Sequence, residues 1–118
     1  MRKTLKFFGW ILIVLGILGF FSNPVVGSDA NTWIHADFNH NLLHLVTGFI
    51  MLWSASKDIN NTRGTLKAIG WIYLILAILG FFLVSGTGTL LGLIEVDGAG
   101  NWLHLVLAII LLLVAKKV

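Results

Sequence analysis

Four long apolar segments constrain the fold of this chain more than any other feature. They cover residues 5–22, 38–56, 66–84 and 100–115, and each approaches the roughly 20 residues that a helix needs to cross a bilayer. Apolar residues run continuously within each segment, and a helix satisfies its own backbone hydrogen bonds in lipid. With 58% hydrophobic and 11% charged residues, the chain is too apolar for an ordinary soluble domain. We therefore predict an all-α membrane protein with four transmembrane helices.

The two halves of the chain resemble each other. Phe-Gly-Trp-Ile at 8–11 and Leu-Gly-Phe-Phe at 18–21 return as Ile-Gly-Trp-Ile at 69–72 and Leu-Gly-Phe-Phe at 79–82. A mid-chain copy of the first apolar segment argues that this segment is a helix and not a cleaved signal peptide. We predict one bundle over residues 1–118, built from two tandem hairpin repeats at about 5–56 and 66–115. A pseudo-twofold axis along the membrane normal should relate them, since both enter the membrane in the same direction.

The basic residues predict the orientation of this bundle in the cell membrane. They occur before the first segment, between the second and third, and after the fourth, at Arg2, Lys3, Lys6, Lys57, Arg63, Lys67, Lys116 and Lys117. The other two connections contain only acidic charges, at Asp29, Asp37, Glu95 and Asp97. By the positive-inside rule, both termini are cytoplasmic. The net charge of +3 then reflects the membrane topology, and we expect no nucleic-acid partner. The expected partner is the lipid bilayer, within which the protein could form a homo-oligomer or bind another membrane protein.

Polar residues recur at matching places within the second and fourth segments. Asn41 and His44 return sixty positions later as Asn101 and His104. The spacing places each pair on one helix face together with small residues, which indicates a face directed into the bundle, near its outer end. His40 precedes His44 by one turn, and two imidazoles at i and i+4 suit a metal ion.

These motifs resemble a known family. Residues 40–45, His-Asn-Leu-Leu-His-Leu, and 100–105, Gly-Asn-Trp-Leu-His-Leu, are similar to the ends of the two hairpins in small bacterial four-helix membrane proteins grouped as a domain of unknown function. Leu-Leu-Gly-Leu at 90–93 and Val96 resemble the outer loop of that family, whereas Asn-Thr-Trp-Ile-His at 31–35 departs from its pattern. The resemblance implies the fold and groups the asparagines and histidines as a unit. It implies no activity.

The polar cluster is open to three interpretations. The first is structural: histidine and asparagine join the helices of a scaffold or accessory protein, because buried polar groups are usually hydrogen-bonded within the protein. The second is a metal or haem site: His44 and His104, facing each other, could bind haem axially, and with His40 as a third ligand they could hold zinc or copper. The third is a pathway for a proton, an ion or a small solute, with the histidines titrating.

Other chemistry has little support in the sequence. The chain has no cysteine, which excludes disulfides, thiolate ligands and cysteine nucleophiles. No catalytic triad spacing, phosphate-binding loop or paired carboxylates occur within the four segments, so we predict that the protein is not an enzyme. His35 and Asp37 precede the second segment, where they could complete a metal site from the loop.

Overall fold

The structure is a computed structural model that describes residues 1–21, 23–27, 32–84 and 86–116, without the side chain of His35. It is mostly helical, with four helices: α1 (Arg2–Leu18), α2 (Phe38–Ala55), α3 (Ile59–Leu83) and α4 (Gly98–Lys116). α3 begins well before the predicted residue 66, because Asp58 accepts a hydrogen bond from the amide of Asn61 and so caps a polar first turn. α1 ends at Leu18, short of the predicted residue 22.

Short strands form in the two connections that were predicted to face outward, a feature that the all-α prediction did not include. In the first connection, β1 (Val26–Gly27) pairs in parallel with β2 (Ile34–His35). In the second, β3 (Gly88–Leu90) and β4 (Ile94–Val96) form an antiparallel hairpin. Its tight turn has positive φ at both Leu91 and Gly92, as in the type I′ turns that match strand twist. The four strands lie at the end of the bundle from which α2 and α4 begin.

Helices pack most closely within each half of the chain, α1 along α2 and α3 along α4. Glycines permit this approach in the first pair. A Cβ atom placed on Gly48 would lie 2.7 Å from the carbonyl oxygen of Gly9, and one on Gly9 would lie 3.1 Å from that of Gly48. Small residues allow such contact between backbones where lipid provides no hydrophobic drive for helix association.

The apolar core occupies the end of the bundle where the chain termini lie, and it extends to mid-height. It contains Leu5, Leu12, Met51, Ala55, Leu66, Ile69, Tyr73, Leu107, Ala108, Leu111 and Ala115. The opposite end, beneath the strands, combines two smaller apolar clusters, around Val26 and Leu90, with buried polar side chains. The polar side chains include His40, Asn41, His44, Asn101 and His104.

Large apolar side chains cover the outside of all four helices. They include Phe7, Trp10, Phe49, Trp53, Trp71, Phe82, Trp102 and Leu113. Two helices, α3 and α4, are long and apolar enough to cross a membrane. α1 is shorter, with 17 residues, and α2 carries three polar residues in its first turn, 39–41, besides His44.

The Gly9–Gly48 contact predicts a position-specific loss of stability. Gly48→Ala should lower the free energy of unfolding by about 1–3 kcal/mol, because the added methyl group meets backbone that cannot move aside freely. Equilibrium unfolding in mixed detergent micelles, followed by circular dichroism, measures this change. Gly64→Ala is the matched control, since no described atom lies within 4 Å of its Cβ position apart from its chain neighbours and the adjacent backbone of its own helix. That control should be neutral or gain up to about 1 kcal/mol, and equal stability of the two variants would contradict the close packing.

Candidate functional site

Two aspartates begin the helices that carry the histidines. Asp37 Oδ1 accepts a hydrogen bond from the amide of His40 at 2.9 Å, and Asp97 Oδ1 accepts one from the amide of Gly100 at 2.8 Å. Both residues cap orphan amides at a helix N-terminus, which fixes the first turns of α2 and α4. Asp37, which was predicted as a group that could complete a metal site, is therefore a capping residue in this structure.

Three imidazoles converge between α2 and α4. His40 and His44 come from α2 and His104 comes from α4, and all three side chains are at most 4% exposed. One ring nitrogen from each residue lies within 4.8 Å of the other two. The ring centroids are 4.5 Å apart for His40 and His44, 5.1 Å for His40 and His104, and 6.0 Å for His44 and His104. The structure thus brings together the three residues that were predicted as metal ligands, and their role stays a prediction.

Hydrogen bonds assign the protons of two of these rings. His40 Nδ1 lies 2.6 Å from the carbonyl oxygen of Glu95, and a carbonyl only accepts, so Nδ1 carries a proton. In a neutral His40 ring, Nε2 is then an acceptor. It lies 3.2 Å from His104 Nε2, which must be the donor.

This assignment leaves His104 Nδ1 unprotonated, so it can only accept a hydrogen bond. His104 Nδ1 is buried and has no hydrogen-bond partner among the described residues, and the same holds for His44 Nδ1. Buried polar atoms are normally paired, so each of these two demands an explanation. The cluster therefore presents two buried ring nitrogens that the protein itself does not satisfy.

The asparagines occupy a different place from the histidines. The Asn41 amide on α2 lies directly against Gly19 after α1, and the Asn101 amide on α4 lies directly against Gly80 on α3, so a Cβ on either glycine would overlap it. Among the hydrogen bonds of the described residues, none joins either amide to an imidazole. The four predicted residues of the polar cluster thus separate into asparagines that pack within each half and histidines that meet between the halves.

Sequence reasoning missed two residues beside the cluster. Tyr73 on α3 is fully buried, its ring lies 5.2 Å from that of His104, and its hydroxyl lies 2.8 Å from Thr47 Oγ1 on α2. A signal was available, since the single tyrosine lies in mid-segment and not at an interface, and Thr47 follows His44 by three residues on the same face. No sequence signal could have identified the Glu95 carbonyl, which the β3–β4 hairpin delivers.

The side chain of His35, a predicted participant from the outer loop, is outside the described atoms. The backbone of His35 belongs to β2. The hypothesis that His35 closes a metal site from the loop therefore stays a prediction.

The Thr47–Tyr73 contact predicts a measurable coupling between α2 and α3. In a double-mutant cycle of Thr47→Val and Tyr73→Phe, we expect a coupling free energy of about 0.5–1.7 kcal/mol, the range of interhelical hydrogen bonds in membranes. Unfolding in mixed micelles measures it. Strictly additive losses would show that the two hydroxyl groups do not stabilise each other.

Comparison with curated proteins and with solved structures finds no match. A family model described as a domain of unknown function, DUF4383, matches residues 2–116. This match covers nearly the entire chain, including every helix and both pairs of strands. The chain therefore belongs to the DUF4383 family.

Proposed function

We propose that all four helices cross a membrane, as two tandem hairpins related by a pseudo-twofold axis along its normal. The apolar exterior of every helix supports this, because water-soluble proteins rarely leave large contiguous apolar surfaces uncovered. The longest dimension of the molecule, 42 Å, matches the thickness of a bilayer with its headgroups, about 40–45 Å. Seventeen residues make α1 about 25 Å long, which lies at the short end of the range for a membrane span. The equivalent packing of Gly19 on Asn41 and of Gly80 on Asn101 supports the twofold axis.

The proposed orientation places both termini and the α2–α3 connection in the cytoplasm, with the strands outside. Basic residues cluster at the end of the bundle where the apolar core lies, and Arg2 donates a hydrogen bond to the carbonyl of Lys57 there. The histidine cluster is then close to the outer face.

Cysteine labelling tests both the number of spans and the orientation on a background that has no native cysteine. Trp33→Cys and Thr87→Cys should react with a membrane-impermeant maleimide on intact cells, and Ser56→Cys only after permeabilisation. All three positions are exposed. A protein spanned by α3 and α4 alone would instead place positions 33 and 56 on the same side, which would overturn the four-span arrangement.

We propose that the function of the bundle is to bind a metal ion through His40, His44 and His104, in a binding role and not a catalytic one. The observation that supports it is the convergence of three buried ring nitrogens within 4.8 Å. A tetrahedral ion with bonds of about 2.0–2.1 Å separates its ligand nitrogens by about 3.3 Å. The Nε2 atoms of His40 and His104 are 3.2 Å apart, so they suit this geometry, and a ring nitrogen of His44 lies within 4.8 Å of the ligand atoms of the other two.

The surroundings of His40 match those of a metal ligand. Ligating histidines usually donate their second N–H to a carbonyl or carboxylate, which fixes the tautomer and the ring orientation. His40 Nδ1 does so toward the Glu95 carbonyl and leaves Nε2 free to coordinate. An ion held by the Nε2 atoms of His40 and His104 would require the proton of His104 to be on its unpartnered Nδ1.

The chemistry of the donors favours zinc or copper over haem. Imidazole nitrogen suits both ions, and three histidines leave a fourth position for water. A haem would need its porphyrin between the predicted axial pair, His44 and His104. The ring of His40 packs against both, at centroid distances of 4.5 Å and 5.1 Å, and buried side chains surround all three rings.

A structural role is the second candidate, and one observation favours it. His40 joins β4, through the Glu95 carbonyl, to α4, through His104, so its imidazole links the two halves of the chain without any ion. A proton or solute pathway has less support, because the apolar core that includes Leu12, Met51 and Leu111 lies between the cluster and the end where the termini lie.

Elemental analysis separates these candidates. Protein purified in mild detergent without a histidine tag should contain about one equivalent of zinc or copper, and His40→Ala, His44→Ala and His104→Ala should lose it. Thr47→Val is the matched control, since it removes a buried polar group of α2 without removing an imidazole, and it should keep the metal. His35→Ala shows whether a fourth histidine contributes.

Zinc should also stabilise the unmodified protein. At a free concentration one hundred times the Kd, an ion that binds only the folded state adds about 2.7 kcal/mol to the free energy of unfolding, and the three alanine variants should show no such gain. A well-folded, metal-free protein that zinc does not stabilise would contradict the metal hypothesis and leave the structural role.

A further inference from the structure

A lateral pocket leads from the outside of the bundle to the histidine cluster. It has a volume of about 200 Å³ and lies between α1 and α4, which make little direct contact with each other. The side chains at its mouth are partly exposed and wholly apolar. They are Ile11, Leu103 and Val106.

The inner wall of the pocket combines apolar and polar groups. Leu12 and Leu107 provide buried apolar surface, and His44 and His104 provide imidazoles. These are the two histidines whose Nδ1 atoms are buried without a partner. Neither Nδ1 atom is exposed to the pocket in this structure, so a ligand would reach it only when the imidazole turns about its Cβ–Cγ bond. The third histidine, His40, does not line the pocket, and its ring nitrogens are hydrogen-bonded to Glu95 and His104.

A ligand that fits this wall has an apolar body and one small polar head. An unprotonated ring nitrogen requires a hydrogen-bond donor, and a protonated one requires an acceptor. His104 Nδ1 is unprotonated in the hydrogen-bonded arrangement of this structure, and it would be protonated if Nε2 held an ion. A hydroxyl group is both donor and acceptor, so it satisfies either state of the ring.

The volume of the pocket limits the size of the apolar part of the ligand. A cavity of about 150 Å³ lined by aliphatic and aromatic side chains holds benzene, so one of about 200 Å³ holds a substituted six-membered ring. Phe8 also lines the pocket, and aromatic rings pack favourably against each other and against imidazole. An alkyl tail would leave through the apolar mouth between Ile11 and Val106.

We infer that the pocket between α1 and α4 binds the hydroxylated aromatic head of a lipid-soluble molecule, of the phenol or quinol class, by hydrogen bonds to His44 and His104. The inference rests on the membrane location proposed above for the source of the ligand, and it does not require the metal ion. Binding in detergent micelles tests it independently of the number of spans and of metal content.

The experiment compares two probes that differ only in the hydroxyl group. Protein labelled with ¹⁵N-histidine and treated with chelator is titrated in micelles with 4-octylphenol or with octylbenzene, and the imidazole nitrogen resonances are followed. Octylphenol should shift the Nδ1 resonances of His44 and His104 saturably and bind about tenfold more tightly than octylbenzene, as expected for one satisfied buried polar group.

A variant that blocks the mouth tests the location. Val106→Trp should weaken octylphenol binding at least tenfold, because the indole would fill the entrance. Ile109→Trp is the matched control, since it lies on the same helix, is similarly exposed (45% against 49%) and does not line the pocket. Ile11→Trp, on the opposite side of the mouth, serves as a second blocking variant if Val106→Trp does not fold.

Three results would overturn the inference. Equal affinity for octylbenzene would show an apolar groove that acyl chains fill without hydrogen bonds. Unchanged binding in a folded blocking variant would place the ligand elsewhere. Saturable binding without shifts at His44 or His104 would show that the ligand does not contact these histidines. None of the three results bears on whether the protein binds metal.

Discussion

The outer end of this bundle depends on the two hydrogen bonds of the His40 imidazole. It donates to the Glu95 carbonyl on β4 and accepts from His104 on α4, so one side chain of the first half meets a strand and a helix of the second. A polar group in an apolar interior is costly unless it is paired. The position of the β3–β4 hairpin, the start of α4 and the orientation of His104 are therefore linked, and a change in any one of them leaves a buried ring nitrogen unsatisfied.

The contacts within each half differ in kind from the contacts between them. Within each half, a glycine accommodates an asparagine amide, Gly19 with Asn41 and Gly80 with Asn101, and the two contacts occupy equivalent places in the sequence. Between the halves, each polar contact of the cluster includes a residue that the repeat does not duplicate, as in His40 with His104 and Thr47 with Tyr73. Gly100 stands at the place equivalent to His40, Leu107 at that of Thr47, and Leu12 at that of Tyr73. The repeat thus accounts for the packing within each half, whereas the polar contacts between the halves depend on residues that differ between the two copies. The chemistry of the cluster arises from this difference.

The distribution of polarity explains why the cluster is a functional candidate. The interior contains imidazoles, amides and hydroxyl groups, whereas the exterior of all four helices is apolar. In the membrane location that we propose, such an arrangement leaves the interior as the site for ions and polar head groups, and polar residues at membrane depth tend to mark sites of function. The lateral pocket connects this interior to the apolar exterior at His44 and His104.

By itself, the sequence determined the helical character, the number of helices and the inward direction of the face that carries the asparagines and histidines, because these follow from continuous apolar segments and from helical spacing. It did not determine the start of α3, the strands or the separation of asparagines from histidines. Asn41 and His44 share one face of α2, and only the packing of α1 against α2 decided that the amide meets Gly19 while the ring meets His104. The Glu95 partner of His40 was also decided by tertiary structure alone, because a backbone carbonyl has no residue-specific signature and is brought into place by the fold of a distant hairpin.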